Sequence, residues 1–526
     1  MKPIIILIVT LLAVTSCADE LDLEPANAIT TEQIKEILAS GDSAKIDQIL
    51  GGIANNLPYI IHRDQGSGDS RSNGLLNLNY VNNLLGYDIV CGENATSFGW
   101  DAYTSYSSRR NATSNHNVYY WRFGWKCVAE ANKLLYYLPE VIDNRQLKDY
   151  KARALTLRAF AYNFLMENYR EAYQSGNVGL MIYDKLGEGT YKPYASAGET
   201  YDFIRQDISE AVRLFAEIGI GENRDGYTTD TRDIDLGVAN FVLARVSLLT
   251  GDYNTVIAAC NAILEKYPAF ISKENYGGVN TGTQEAPEFH ANTNAFFSNA
   301  LNPEVIFGFP NITAPNPVPT WLNVFGLGYG GETGDYARIV STLYDAIAPG
   351  DIRKGAFMGN TTFEGYEYPT TPAVSYRTVP TYGNLKFAAT HGLTLDEKTS
   401  ADLSKSDVCY MRSSEVLLMK AEAQAQSGND AAAKTTLNTL LEARTDGLTC
   451  DTYPGMGNLS ALDMVKLQWR IEMWGENGLE YYNNKRWGVS VVRSTSTSNH
   501  RINATIGVDL MTLEIPSNET LLNPNL

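Results

Sequence analysis

Two stretches of the sequence share one build: a helix-forming run rich in Leu and Ala, a Gly followed by Asp or Asn, and a second such run. Residues 243–252 lead into 256–265, and residues 419–429 lead into 431–442. Aligned on Gly251 and Gly428, Ala244 matches Ala421, Asn261 matches Asn438, Leu264 matches Leu441 and Glu265 matches Glu442. The Gly supplies the left-handed residue that ends the first helix. Asp252 or Asn429 is placed to cap the second. A small Ala at the crossing lets the two helices approach closely. This is a tetratricopeptide-type helical hairpin, a unit that buries its apolar face only by stacking on neighbours.

Further helices are expected around this pair. Residues 121–138 place Trp125, Val128, Ala129, Asn132 and Leu135 at helical spacing, and residues 149–169 do the same with Ala154, Leu157, Phe160, Ala161, Phe164 and Leu165. Residues 201–215 read as amphipathic, and residues 461–474 and 479–487 as a late pair. Two interruptions stand out. Residues 62–118 are rich in Gly, Ser, Asn, Asp and Tyr, and residues 271–400 in Gly, Pro, Thr and Tyr. Structureless loops beyond about 12–15 residues are uncommon in compact domains and tend to be functional or disordered. These carry many aromatics, so they read as ordered, irregular excursions with a few short strands, such as Val305-Ile306-Phe307. The expected fold is mainly α: a tetratricopeptide-like scaffold with the excursions as its working surface.

Charge and the N-terminus narrow the function. The formal net charge is −18 with no basic run, which disfavours nucleic-acid binding, since phosphate neutralisation by Lys and Arg supplies most of that affinity. Residues 4–14 form an apolar run behind Lys2. A membrane-spanning helix needs about 20 residues, so this run reads as a secretory signal. Val14-Thr15-Ser16-Cys17 resembles a bacterial lipobox, which makes residues 1–16 a signal peptide and Cys17 a lipidation site. Residues 17–30 become a tether, and Asp19, Glu20, Asp22 and Glu24 resemble the surface-export signal of Bacteroidetes lipoproteins. Residues 31–526 then form a single domain. The other five Cys are widely spaced without a C-x-x-C, so buried free thiols are expected and neither zinc nor a disulfide framework is indicated.

Several local patterns occur in one order along the chain: Leu21-Asp22-Leu23-Glu24-Pro25; Arg153-Ala154-Leu155 through Tyr162; Asn302-Pro303-Glu304-Val305; Asp351-Ile352-Arg353; Tyr410-Met411-Arg412-Ser413-Ser414-Glu415 through Ala423; Arg470-Ile471-Glu472 with Glu476, Gly478 and Arg486-Trp487; and Ile515-Pro516-Ser517. Together they resemble the SusD/RagB family of Bacteroidetes outer-membrane lipoproteins. Near Gly478 the family usually carries a basic residue and an Asp, where this sequence has Glu480 and Asn483. The resemblance implies about four tetratricopeptide repeats and a variable ligand surface. It also implies a partner, a SusC-type TonB-dependent transporter that receives the ligand at the outer membrane. Members take oligosaccharides or, in the RagB-like branch, peptides.

Sugar recognition needs flat aromatic faces and short polar side chains, and the excursions hold both. Trp100 and Trp321 are expected stacking platforms because each is a large aromatic on a polar loop. Tyr103, Tyr329 and Phe296 accompany them, and Asp69, Arg71, Asn73 and Asp101 are candidate hydroxyl partners. The competing reading is that these aromatics pin the loops to the scaffold. Trp121 and Trp125, four apart on one helix, read as core. Arg158, Arg412, Glu415 and Glu422 read as buried charges holding repeats together. Gly326, Gly328 and Gly331 match a dinucleotide fingerprint by letter, but the Pro-rich approach at 315–319 is no buried strand. The five His have no ligand spacing, and no carboxylate pair is singled out for glycoside hydrolysis. The expected function is oligosaccharide binding without catalysis, cofactor or metal. A peptide binder and a surface glycoside hydrolase are the alternatives.

Overall fold

A computed structural model describes residues 31–63, 74–90, 111–140, 142–187, 191–219, 230–277, 294–310, 337–361, 363–369, 374–379, 381–387 and 406–525. The chain starts with α1 (Thr31–Ser40) and α2 (Ser43–Ile46), and a π turn at Asp47–Gly51 leads into α3 (Gly52–His62). Then follow α4 (Gly74–Leu84), α5 (Asn115–Tyr137), α6 (Arg145–Tyr169), α7 (Ala197–Ile218), α8 (Leu236–Thr250) and α9 (Tyr253–Lys266). After the second excursion, which carries the short α10 (Ser341–Ala346), come α11 (Ser413–Gln426), α12 (Asp430–Arg444), α13 (Ala461–Glu472), α14 (Leu479–Trp487) and α15 (Ser517–Leu522).

Among the described residues four helical hairpins stack. Helix α3 packs on α5, α6 on α7, α8 on α9, and α11 on α12. Successive hairpins join through α5 on α6, α7 on α8, and α9 on α11, and α13 closes the array against α11 and α12. The third and fourth hairpins are neighbours in space although residues 267–412 separate them in sequence. Their turns form as the sequence pattern requires. Gly251 and Gly428 adopt φ of +80° and +76°. The Asp252 side chain accepts from the Thr255 N–H, and Asn429 from the Ala432 N–H. Ala244 and Ala421 are fully buried where their helices cross.

Among the described residues the strands form four antiparallel ribbons. Strand β1 (Ile89–Val90) pairs with β3 (Arg338–Ile339), and β2 (Val305–Phe309) with β6 (Val408–Arg412). Strands β4 (Phe363–Pro369) and β5 (Val374–Val379) form a hairpin, as do β7 (Val491–Arg493) and β8 (Ala504–Ile506).

Helix α4 is a departure from the expected irregular stretch at 62–118. It is buried on every side, so it shows no single apolar stripe, and four Asn lie inside it. Two of these tie it to α14 and the turn before it: Asn82 Nδ2 donates to the Tyr482 hydroxyl at 2.7 Å, and Asn83 Nδ2 donates to the Gly475 carbonyl at 2.8 Å.

A buried charge hub fastens the second excursion to the scaffold. Arg412, at the end of β6, reaches Glu304 at 2.7 Å, Glu472 at 2.8 Å and Glu476 at 2.8 Å. Arg444 of α12 reaches Glu304 at 2.6 Å and Glu472 at 3.0 Å. Arg353 pairs with Asp351 at 2.6 Å, and Lys386 with Glu476 at 2.6 Å. The four cations and four carboxylates balance, and all eight are buried. Burial raises the Glu472 carboxyl, but Arg444, Arg412 and Arg353 outweigh it and hold the group well below the ordinary carboxylate range. Every member of the network has an oppositely charged, hydrogen-bonded partner, as buried charges require.

The helices are tied in the same way. Arg158 of α6 forks onto Asp207 of α7 at 2.7 and 2.8 Å. Arg245 of α8 bridges Glu167 at 3.0 Å and Glu415 at 3.1 Å. Arg486 pairs with Glu422, and Trp487 Nε1 donates to the same carboxylate at 2.8 Å. Trp121 is buried, and Trp125 packs edge-on against Tyr162 at 5.6 Å. Cys127, Cys260, Cys409 and Cys450 form no disulfide. Among the described residues no helix is long and apolar enough to cross a membrane, and no group of His, Cys, Asp and Glu could hold a metal ion.

Candidate ligand-binding site

Eight of the nine residues expected to contact ligand lie on three segments outside the described residues. Asp69, Arg71 and Asn73 are within 64–73, Trp100, Asp101 and Tyr103 within 91–110, and Trp321 and Tyr329 within 311–336. Cys17 also lies outside them. What the structure does describe is where these three segments join the fold.

Segment 91–110 follows Val90, and segment 311–336 ends one residue before the Ala337–Arg338 step. Val90 is the partner of Arg338 in the antiparallel β1–β3 ribbon. In an antiparallel pair, the residue after Val90 and the residue before Arg338 lie at the same end of the ribbon. The two tryptophan-bearing segments therefore leave the scaffold side by side. The ribbon is anchored from below: Ile89, Val90 and Ile339 are buried in a cluster with Tyr80, Phe357 and Trp474.

The third segment is rooted against the other end of 311–336. His62 closes α3 just before segment 64–73, and Phe309 closes β2 just before 311. Their rings stack at 4.1 Å between centroids with an interplanar angle of 4°. His62 Nδ1 lies 3.1 Å from the Tyr410 hydroxyl. Burial pushes the imidazole down to about 4, and Arg63 adds to the effect, so the ring is neutral at pH 7. Segment 64–73 returns at Gly74, where φ is +80° and a Cβ would collide with the His62 carbonyl. Only a glycine lets the loop close that tightly.

Phe296 is the one candidate the structure places. It is half-buried on the same cluster as the β1–β3 ribbon. Its ring packs edge-on against Tyr276 at 4.9 Å and Phe387 at 5.8 Å. Lys386 Nζ lies 4.7 Å from the ring centroid and Arg412 Cζ 5.5 Å. Phe296 thus covers the cationic side of the charge hub, and only part of the ring faces outward. Sequence reasoning passed over two half-buried aromatics beside this surface, Tyr344 and Tyr382, because nothing in local spacing separates them from the chain's other tyrosines.

Residues 336–516 match the model of the SusD family, and residues 73–220 match a second model described as starch-binding associating with outer membrane. A SusD-like carbohydrate-binding protein from Bacteroides vulgatus superposes with a TM-score of 0.68 at 20% identity, over 94% of this chain and 97% of that one. This chain belongs to the SusD/RagB family. Another structure with the SusD-like fold is surface glycan-binding protein A from Bacteroides thetaiotaomicron in complex with laminarihexaose. It has a TM-score of 0.63 at 18% identity, over 91% of this chain and 98% of that one. Surface glycan-binding protein A from Bacteroides fluxus matches with a TM-score of 0.62 at 18% identity, over 90% and 96%. At these identities the likeness concerns the fold. No curated protein matches the sequence.

One departure from the SusD/RagB pattern has a definite place in the structure. Glu480 accepts hydrogen bonds from the Tyr87 N–H at 2.5 Å and the Asp88 N–H at 3.0 Å. It thereby holds the turn that leads into β1, the root of segment 91–110. Burial, with Asp88 adding to it and Arg470 opposing, pushes the Glu480 carboxyl up to about 7. Gly86 makes room, since a Cβ there would overlap the carboxylate.

Proposed function

We propose that this protein is a lipid-anchored, surface-exposed glycan-binding protein of the outer membrane. It captures an oligosaccharide without catalysis and passes it to a SusC-type TonB-dependent transporter. The observation that carries this reading is the rooting of 91–110 beside one end of 311–336 through Val90–Arg338, and of 64–73 beside its other end through His62–Phe309. That rooting supports reading Trp100 and Trp321 as stacking platforms, and Asp69, Arg71, Asn73 and Asp101 as hydroxyl partners, of one ligand surface. Tyr103, Tyr329 and Phe296 extend the aromatic surface. The laminarihexaose complex of a protein with the same fold supports the glycan class, and the lipobox at Cys17 supports the anchor.

Binding of the purified protein to a combined glycan and peptide array tests the proposal. Retention on glycans is expected, with no new reducing ends on prolonged incubation. Retention on peptides alone would replace the glycan reading with a RagB-type one. New reducing ends would make the protein a hydrolase.

A further inference from the structure

Tyr382 is held in the left-handed region, at φ +60°. Among the described residues, Asn477 is the only other non-glycine with positive φ, at +52°. Asn visits this region readily, and Asn477 uses its side chain to bond the Tyr410 carbonyl at 3.0 Å. A bulky aromatic has no such excuse, and the conformation costs about 1–2 kcal/mol relative to the right-handed form. It persists because the backbone on both sides is fixed. The Tyr382 N–H donates to the Gly359 carbonyl at 3.0 Å, the Ile339 N–H donates to the Tyr382 carbonyl at 3.0 Å, and Gly383 bridges to Arg338. Glycine would adopt this φ without steric strain, so the backbone alone does not call for a tyrosine here.

The ring is only partly taken up by the core: one side packs on the cluster that holds the β1–β3 ribbon, and the rest stays open. Tyr382 is half-buried and meets Tyr344 of α10 edge-on at 5.5 Å. Core tyrosines use their hydroxyls: Tyr120 donates to the Leu78 carbonyl, Tyr453 to Asp351 and Tyr481 to the Met511 carbonyl. The hydroxyls of Tyr344 and Tyr382 make no hydrogen bond among the described residues. Lys354 Nζ sits 4.6 Å from the Tyr344 ring centroid and donates to the carbonyls of Tyr344 and Ile347, at 3.2 and 2.7 Å. That leaves one of its three protons. Asp345 is exposed beside them and acts electrostatically on both phenols and on Lys354. The location is also telling. Val90 pairs with Arg338, and Arg338 in turn bridges Gly383. The tyrosine pair thus lies one strand over from the root of the two tryptophan segments.

We propose that Tyr344 and Tyr382 form an additional sugar subsite bordering the candidate site. The apolar face of one hexose unit packs on the rings, and its hydroxyls meet Asp345, Lys354 and the two phenols. This rests on the glycan reading above and extends it to a specific outer edge.

The test uses the full-length protein in detergent, first on the glycan array and then by calorimetric titration with laminarihexaose, maltohexaose and xylohexaose. Tyr382→Gly is expected to leave the melting temperature unchanged or raised, while affinity for the bound hexasaccharide falls about 3- to 10-fold, the scale of one aromatic contact. Tyr344→Ala is expected to lower affinity similarly. Tyr382→Phe, which keeps the ring, should lose less. If the wild type retains a glycan and both truncations bind it with wild-type affinity, the subsite is overturned and the glycan reading stands. If Tyr382→Gly lowers the melting temperature without changing affinity, the ring is structural and the subsite is again overturned. If the wild type retains no glycan, both proposals fall together.

Discussion

Val90 and Arg338 face each other across a two-residue ribbon, and through that pairing two excursions far apart in sequence share one root. The consequence is energetic coupling. Side chains on segments that leave a common rigid base and meet one ligand should not contribute independently. Trp100→Ala and Trp321→Ala are each expected to lower glycan affinity about 10-fold, on the scale of a buried aromatic contact. The double variant should lose less than the product of the two. Titration calorimetry on the three proteins checks this. Wild-type affinity in both single variants would show that other loop residues hold the ligand.

The charge hub predicts a strongly asymmetric response to mutation. Removing Glu472 leaves Arg353, Arg412 and Arg444 buried without a shared counter-charge. Breaking such a network by deleting one partner costs about 3–5 kcal/mol, mostly as the penalty of the stranded charges. Glu472→Ala is therefore expected to unfold at much lower denaturant than wild type. A solvent-facing deletion such as Glu210→Ala, whose pairs with Lys151 and Arg213 are partly exposed, should change stability by no more than about 1 kcal/mol. Urea unfolding followed by circular dichroism separates the two.

Glu480 offers a cleaner case, because its two oxygens accept from two different backbone amides. Glu480→Gln keeps the size but turns one acceptor into a donor that faces a backbone N–H. One buried hydrogen bond is lost and its donor stranded, at a cost of about 1–3 kcal/mol. Gly86→Ala should cost a similar amount by pushing the carboxylate away. Both effects should be read in the melting temperature. If Glu480→Gln melts with wild type, the carboxylate does not hold the turn.

How far the sequence could lead depended on whether the signal was local. The hairpin turns were legible because Gly251-Asp252 and Gly428-Asn429 encode a left-handed stop and a cap within two residues, and α14 begins and ends where the pattern placed it. Helix α4 was not legible. Burial on all faces erases the 3.6-residue period, and its Asn side chains, which normally mark loops, are spent on tertiary hydrogen bonds. The pairings Val90–Arg338 and His62–Phe309 join residues hundreds of positions apart, and no spacing rule reaches that far. The strain at Tyr382 is likewise a property of the surrounding backbone, and its own neighbours Thr381 and Gly383 do not announce it.

His62 gives a prediction with a definite sign in pH. Its folded-state pKa is depressed from 6.5 to about 4 by burial against Phe309 and Tyr410. Between those values the unfolded chain binds a proton that the folded protein refuses, so stability falls as pH drops through this window. The contribution is fully present above about 6.5, the unfolded value, and is lost as pH reaches about 4. His500, also pushed down to about 4, acts in the same direction, whereas Glu415 and Glu480, pushed up to about 7, act in the opposite one. Comparison with His62→Gln removes these shared terms, because the variant retains all three groups. The wild type's advantage over His62→Gln at pH 7 is expected to shrink steadily between pH 6.5 and 4, as measured by urea unfolding at several pH values. An advantage that stays constant across that range would mean the imidazole is already protonated in the fold and that its stack on Phe309 is made by the cation.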